Sequence, residues 1–312
     1  MTVKPPAKLV GVLLASTATS LGGGTVVLTR LIIDQTDSLS LAMIRYGMAA
    51  AFLAVVLFST MRFPRMSRHD MLWLTLYGII MFSGFPYFMT RALEDTTAAR
   101  GALLFATIPL MTIIIGAVFR IERITLMKTA GIACAIAGAA LALGENVDES
   151  APNALRGDAF MALAMLCAAV FNVFSPRYHV RYGSLPVVVF TMALGSGFLL
   201  VLALFLSPPL TETLALDLEA WIVVVALAIP GAALMNFVWG RALQLITPTQ
   251  ASITVGINPI TALLLGAWIL SEPITLRVIA GTALIILAIA LTTRGPREIP
   301  PPVRPEKPAH DL

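Results

Sequence analysis

Ten runs of about twenty apolar residues constrain this chain more than any other feature. They fall at about 9–29, 39–59, 71–90, 100–119, 127–144, 157–176, 186–206, 220–240, 249–270 and 275–293. A helix of that length rises about 30 Å, the thickness of the hydrocarbon core of a bilayer. The runs are about twice as long as a tilted barrel strand and do not alternate polar with apolar residues, so they read as helices. The arithmetic agrees. Ten spans use roughly 200 residues of the 312 and leave about 110 for loops and tails. Charged residues make up 12% of the chain, too few to coat a soluble core of this size. Mean hydropathy is +0.89. The expected fold class is an all-α integral membrane protein with ten transmembrane helices. A basic stretch, Met1 to Lys8, precedes the first run. That run continues to about Thr29 and is read as a span, with a signal peptide as the minor alternative.

Lys and Arg counts set the expected orientation. With a cytoplasmic N-terminus, the inner segments carry 15 basic residues and the outer segments five: Arg30, Arg91, Arg100, Arg156 and Arg277. Glu145, Asp148, Glu149, Glu212, Asp217 and Glu219 all fall outside. Both termini are therefore expected in the cytoplasm. The net charge of +4 comes from basic residues standing singly between apolar runs, which is topology bias and no sign of a nucleic-acid partner. Cys134 and Cys167 lie in separate runs, with neither a bridge pattern nor metal spacing. His69, His179 and His310 lie outside the runs. No metal and no cofactor are expected. The tail 294–312 is rich in proline and charge and reads as disordered, with a PxxP-type docking ligand as the lesser reading.

Shifting the sequence by 150 residues lays 71–143 on 221–293 without a gap. Arg91-Ala92-Leu93 falls on Arg241-Ala242-Leu243, Thr97 on Thr247, Pro109 on Pro259, Gly116-Ala117 on Gly266-Ala267, and Glu122 on Glu272. Ile124-Thr125-Leu126 falls on Ile274-Thr275-Leu276, and Ala130-Gly131 on Ala280-Gly281. Chance could match some Leu and Ala, but not Pro, Glu, Thr and an Arg-Ala-Leu triplet in one register. The expected organisation is a cytoplasmic N-terminus 1–8, a five-helix repeat 9–144, an outer connector 145–156, a second repeat 157–293 and the tail 294–312. Five spans per repeat insert the second copy upside down, the plan of many secondary transporters, whose substrate sites lie near the midplane between repeats.

With its proline in the fourth span of each half, then Gly-Ala, a Glu past the span and Ile-Thr-Leu before a small-residue helix, the chain resembles the EamA-type transporters of the drug/metabolite transporter superfamily. The likeness covers about 9–293. It is weakest in the first and sixth spans, where Gly22-Gly23-Gly24 and Ala168-Ala169 replace a family Trp-Gly or similar pair. The resemblance implies ten spans, a central cavity between the halves, and export of a small-molecule substrate from the cytoplasm across the bacterial inner membrane. Length and general likeness to the bacterial amino-acid exporters of that family point to neutral or aromatic amino acids. Other metabolites or drugs are the alternative.

Few residues are left to carry the chemistry. Arg45 is the one charge well inside a run. It either snorkels to the outer interface or faces the cavity and meets a substrate carboxylate. No Asp, Glu, His or Lys lies deep in a run, so export down a gradient is favoured over a proton relay. Glu122 and Glu272 sit just past span ends and read as partners of nearby Arg. Candidate cavity residues are Tyr46, Phe82, Phe85, Thr107, Asn172, Asn236, Trp239 and Asn258, with helix–helix hydrogen bonding as the competing role of the polar ones. Pro109 and Pro259 are expected helix breaks, each freeing a carbonyl four residues back. Tyr87 and Trp239 could instead belong to an interfacial belt. A cavity lined by uncharged aromatics suits neutral amino acids and suits sugar phosphates poorly. Gly131, Ala135, Ala139 and Leu143 recur every four residues and allow close helix contact, and Gly22-Gly23-Gly24 reads as a flexible or close-contact point. An integral-membrane enzyme or a static scaffold are the rivals from other classes. The first lacks an H-E-x-x-H, a paired in-span carboxylate and a Gly-x-Ser-x-Gly.

Overall fold

A computed structural model describes residues 7–32, 35–95, 104–105, 107–143, 154–206, 216–270 and 276–293. The tail 294–312, Glu272 and most of the connector 145–156 lie outside the described residues. The described residues form helices in the order α1 (Ala7–Ile32), α2 (Ser38–Thr60), α3 (Arg68–Ile79), α4 (Phe85–Asp95), α5 (Ile108–Val118), α6 (Leu126–Leu143) and α7 (Ala154–Phe174). There follow α8 (Pro176–Tyr182), α9 (Ser184–Leu206), α10 (Leu218–Ala228), α11 (Met235–Ala242), α12 (Pro248–Ile253), α13 (Ile257–Leu270) and α14 (Leu276–Thr293). Among them, six stretches are long and apolar enough to cross a bilayer: Ala7–Thr29, Leu39–Thr60, Arg68–Ala92, Leu155–Phe174, Ser184–Phe205 and Leu218–Ala242. The apolar helices at Ile108–Val118, Leu126–Leu141 and Ile279–Thr292 are shorter. The chain is a multi-pass, all-helical membrane protein.

Two long runs are not continuous α-helix. α3 passes into α4 through a π-helical turn, Ile80–Gly84, and α10 into α11 through another, Ile229–Leu234. The Phe85 N–H bonds the Ile80 carbonyl, five residues back. Each turn adjoins a proline, Pro86 after the first and Pro230 within the second. A proline lacks the N–H that an α-helix needs, and a widened turn is one way to absorb the lost bond. Shifted by 150, residues 80–84 become 230–234, inside the second turn. The repeat thus keeps the distortion although the proline sits at different places.

Packing follows the repeat as well. α4 lies on α7, and its counterpart α11 lies on α1. α3 lies on α9, and α10 on α2. α5 packs against α7, and α13 against α1. α2 meets its own counterpart α9, and α6 meets α14. Exchanging the halves reproduces the pattern, as a pseudo-two-fold arrangement requires.

The small residues act where the helices touch. A Cβ at Gly131 would stand 2.4 Å from Thr292 Cγ2, and one at Gly138 would stand 2.8 Å from the Gly281 carbonyl oxygen, so α6 and α14 are in backbone contact. The Gly22-Gly23-Gly24 run does not break α1, which is helical throughout. It is a close-contact point, with the side chains of Asn258 and Met235 against Gly22.

Polar contacts close the helix ends. Asp70, beside its N-cap Ser67, accepts from Arg181 Nη1 at 2.8 Å and from the Tyr182 hydroxyl. Arg156 grips Asp95 through Nε and Nη2 at 2.7 and 2.6 Å. Two residues past α5, Arg120 takes a positive φ of 56°, and the Ile121 and Glu122 N–H groups turn back to the Gly116 carbonyl. Glu122 is thereby buried and pairs with Lys128 at 2.7 Å, not with an arginine as the sequence suggested. Its second oxygen accepts the Thr249 N–H at 2.9 Å and anchors the start of α12 in the other half.

Candidate functional site

α12 begins with a reciprocal cap. Thr247 Oγ1 accepts from the Gln250 N–H, and the Gln250 side chain returns to the Thr247 N–H. One turn on, the buried Ser252 hydroxyl donates to the Pro248 carbonyl at 2.8 Å. A hydroxyl has one proton, so Ser252 accepts from its other neighbours. These are Asn172 Nδ2 of α7 at 3.3 Å and Thr112 Oγ1 of α5 at 3.1 Å. The Trp239 indole N–H of α11 donates to Asn172 Oδ1 at 3.0 Å. An indole N–H can only donate, which fixes the orientation of the Asn172 amide. The result is a buried polar chain, Trp239–Asn172–Ser252–Thr112, joining one helix of the first half to three of the second.

The chain borders a cluster in which Trp239 packs with Phe85, Phe88, Phe105 and Phe160 and with Met81, Met111 and Met165. Phe85 meets Phe105 edge-on at 6.1 Å, and Phe88 stacks on Phe160 at 6.3 Å. Aromatic rings supply flat apolar walls, and methionine side chains adapt to irregular ligands. Many of these residues are only half-buried. Rings and methionines beside one polar pair are the residue types that hold and orient a small amphipathic molecule.

Of the residues the sequence singled out, Asn172, Trp239 and Phe85 come together here. Trp239 of α11 is bonded to Asn172 of α7. Thr107 precedes α5 and bonds the Leu104 carbonyl at 2.6 Å. Tyr46 and Phe82 meet edge-on at 5.5 Å in a different cluster, where both are buried. Asn236 donates to the Ala232 carbonyl in the preceding π turn at 2.8 Å. Asn258 lies against Gly22, its Oδ1 buried and unpartnered. Arg45 Nη2 donates to the Gly231 carbonyl in the second π turn at 2.8 Å, and its guanidinium stands 5.3 Å from the Tyr46 ring centroid. Pro109 opens α5 instead of kinking a continuous span, and Pro259 lies in the first turn of α13, behind a 3-10 turn at Thr254–Gly256. Thr112 and Ser252 were missed. In-span hydroxyls commonly bond their own helix, as Thr17 and Thr191 do, and nothing in the sequence sets Ser252 apart.

An open groove of about 340 Å³ lies between α2 and α9, lined by Gly47, Ala51, Ala54, Ala193 and Gly197 among others. Its one hydroxyl, Ser196, donates to the Ala193 carbonyl, and the rest of its lining is apolar.

Comparisons with known proteins agree with this architecture. The model of the EamA-like transporter family matches twice, over residues 9–144 and 155–294. The chain is 24% identical over 282 residues to uncharacterized transporter YyaM of Bacillus subtilis, covering 89% of this chain and 91% of that protein. It is 25% identical over 256 residues to an uncharacterized transporter of Archaeoglobus fulgidus, with 82% and 88% covered. A protein of known crystal structure superposes with a TM-score of 0.78 at 20% identity, over 91% of this chain and 96% of that one, and shares the fold. Two consecutive family matches over a duplicated helical bundle leave one assignment: the chain belongs to the EamA-like transporter family.

Proposed function

We propose that the protein is a ten-span exporter of small organic metabolites, foremost neutral or aromatic amino acids, working by alternating access between two inverted repeats, 9–144 and 157–293. The observation that carries the solute class is the aromatic and methionine cluster with the Trp239–Asn172 pair at its edge. An uncharged surface of rings and methionines suits an apolar or aromatic side chain, and the bonded amide–indole pair marks the edge of that surface.

The grouping of the loops into two sides has independent support. Asp70 with Arg181 joins the second–third loop to the sixth–seventh, and Glu122 with Thr249 joins the fourth–fifth to the eighth–ninth. All four loops are cytoplasmic by the basic-residue count. Arg156 with Asp95 joins two loops assigned to the outside. Each contact pairs loops of one assigned side, as a bilayer demands. The protein is placed in the bacterial inner membrane, with the bilayer and the solute as its partners and no nucleic acid. Export runs down the solute gradient, because Arg45 is the one charge deep in the apolar runs.

The test is efflux of radiolabelled amino acids and other metabolites from proteoliposomes, with and without a proton gradient. Efflux of neutral or aromatic amino acids that ignores the gradient is expected. Movement of other metabolites but of no amino acid overturns the solute assignment, and efflux that requires the gradient overturns the energetics.

A further inference from the structure

The second π turn carries an incomplete site. Arg45 Nη2 holds the Gly231 carbonyl, while its Nε–H is buried with no partner. Nε and Nη2 form the edge with which an arginine grips a carboxylate through two parallel bonds. Arg156 does this to Asp95 in the same molecule. At Arg45 one carbonyl oxygen fills half of that edge. A buried donor left unmade is costly, and a carboxylate would satisfy both.

A complementary atom stands nearby. Thr25 of α1 packs against Gly231, and Gly22, about one turn away on the same helix, packs against Asn258. Asn258 Oδ1 is buried without a partner. The unfilled acceptor thus lies against Gly22, and the residue that occupies the Arg45 donor edge, Gly231, packs about one turn further along the same helix. Met235 also lies against Gly22, and Trp239 follows it one turn further along α11. The first π turn is held differently. There the buried Ser83 hydroxyl donates to the Gly195 carbonyl at 2.6 Å, a neutral tie with nothing left over.

We propose that Arg45 and Asn258 form the head-group subsite for a zwitterionic α-amino acid, and that the incoming carboxylate takes Arg45 away from the Gly231 carbonyl. Arg45 binds the carboxylate through Nε and Nη2, and Asn258 Oδ1 accepts from the ammonium. The Gly231 carbonyl is released, and the second π turn loosens while the first stays tied. Solute binding is thereby converted into movement in one half of the bundle. This rests on the amino-acid reading above and adds which atoms read the solute.

The experiment is hydrogen–deuterium exchange of the peptide spanning residues 229–235 in the purified full chain. The probes are L-phenylalanine, L-phenylalaninamide, phenylacetate and phenylacetamide. In the wild type both acids should raise exchange at least about threefold and both amides should not. L-Phenylalanine should bind about tenfold or more tightly than its amide, the difference expected of a charge-assisted pair. Arg45→Gln should exchange fast without ligand and ignore the acids. Arg45→Lys, which keeps the cation and loses the two-donor edge, should respond weakly. Asn258→Leu should weaken phenylalanine and leave phenylacetate unchanged. Equal effects of acids and amides, an acid response that survives in Arg45→Gln, or no response of the wild type to any acid overturns the proposal. Phenylalanine efflux together with a silent π turn keeps the solute assignment and rejects the subsite. An acid-selective response to phenylacetate without phenylalanine efflux rejects the amino-acid assignment and keeps the Arg45 switch.

Discussion

Two side chains show how burial of a polar group sets its behaviour. Trp239 Nε1 is the donor to Asn172 Oδ1, and Asn172 is buried. Trp239→Phe keeps a ring and removes that donor, leaving Asn172 Oδ1 without it. The expected loss is about 1–3 kcal/mol of stability, with slower efflux. Thermal unfolding should then show coupling between Trp239→Phe and Asn172→Leu, since the double variant has no stranded acceptor. Additive losses would mean that the pair is not a unit. His179, in the short helix α8, is wholly buried, with neither ring nitrogen hydrogen-bonded. Burial pushes its pKa down to about 3 from the ordinary 6.5. The imidazole is therefore neutral in the folded protein, while the unfolded chain takes up a proton below about pH 6.5. Stability is complete above that pH and falls as pH drops towards 3, by about 1.4 kcal/mol per unit from this group. His179→Gln should flatten the dependence of the unfolding temperature between pH 7 and 5. An unchanged slope would assign the acid sensitivity elsewhere.

Helix contacts were legible where they depend on spacing and hidden where they depend on backbone distortion. The four-residue recurrence from Gly131 in α6 corresponds to a real seam with α14. Its tightness gives a prediction. Gly138→Ala places a Cβ 2.8 Å from the Gly281 carbonyl oxygen and 3.0 Å from Ile285 Cγ1, and a backbone atom cannot rotate aside. The variant should lose about 1–3 kcal/mol by overpacking. Gly47→Ala is its control. A Cβ at Gly47 meets nothing within 4 Å, and alanine favours a helix interior by roughly 0.5–1 kcal/mol. A melting temperature lowered for the first and unchanged or raised for the second is the expected pair. The π turns could not be read in advance. Pro86 and Pro230 were visible, but a proline can kink, end or widen a helix, and only the neighbouring helices decide which. The same holds for Pro109, which sits in the first turn of α5 behind the N-cap Thr107.

For the whole molecule, the duplication was the strongest signal, because proline, glutamate and glycine held in one register across 150 residues leave little room for chance. The family matches at 9–144 and 155–294 reproduce it. The buried polar chain was half legible. Asn172 and Trp239 stand out as rare residues in apolar runs, whereas Thr112 and Ser252 do not. The inversion of the halves can be tested directly. Leu126, at the start of α6, is 84% exposed, and Leu155, at the start of α7, is 85% exposed. They flank successive apolar segments and should lie on opposite faces of the membrane. In a background with Cys134 and Cys167 replaced by alanine, a cysteine at 155 should react with a membrane-impermeant maleimide added to intact spheroplasts. One at 126 should react only after permeabilisation. The repeat then requires the equivalent of 126, residue 276, to behave as 155 does, although its neighbours match those of 126 in sequence. Leu276 is 80% exposed, so access is no obstacle. Reaction of the cysteines at 126 and 276 from the same side would make the repeat parallel and remove the basis for alternating access between inverted halves.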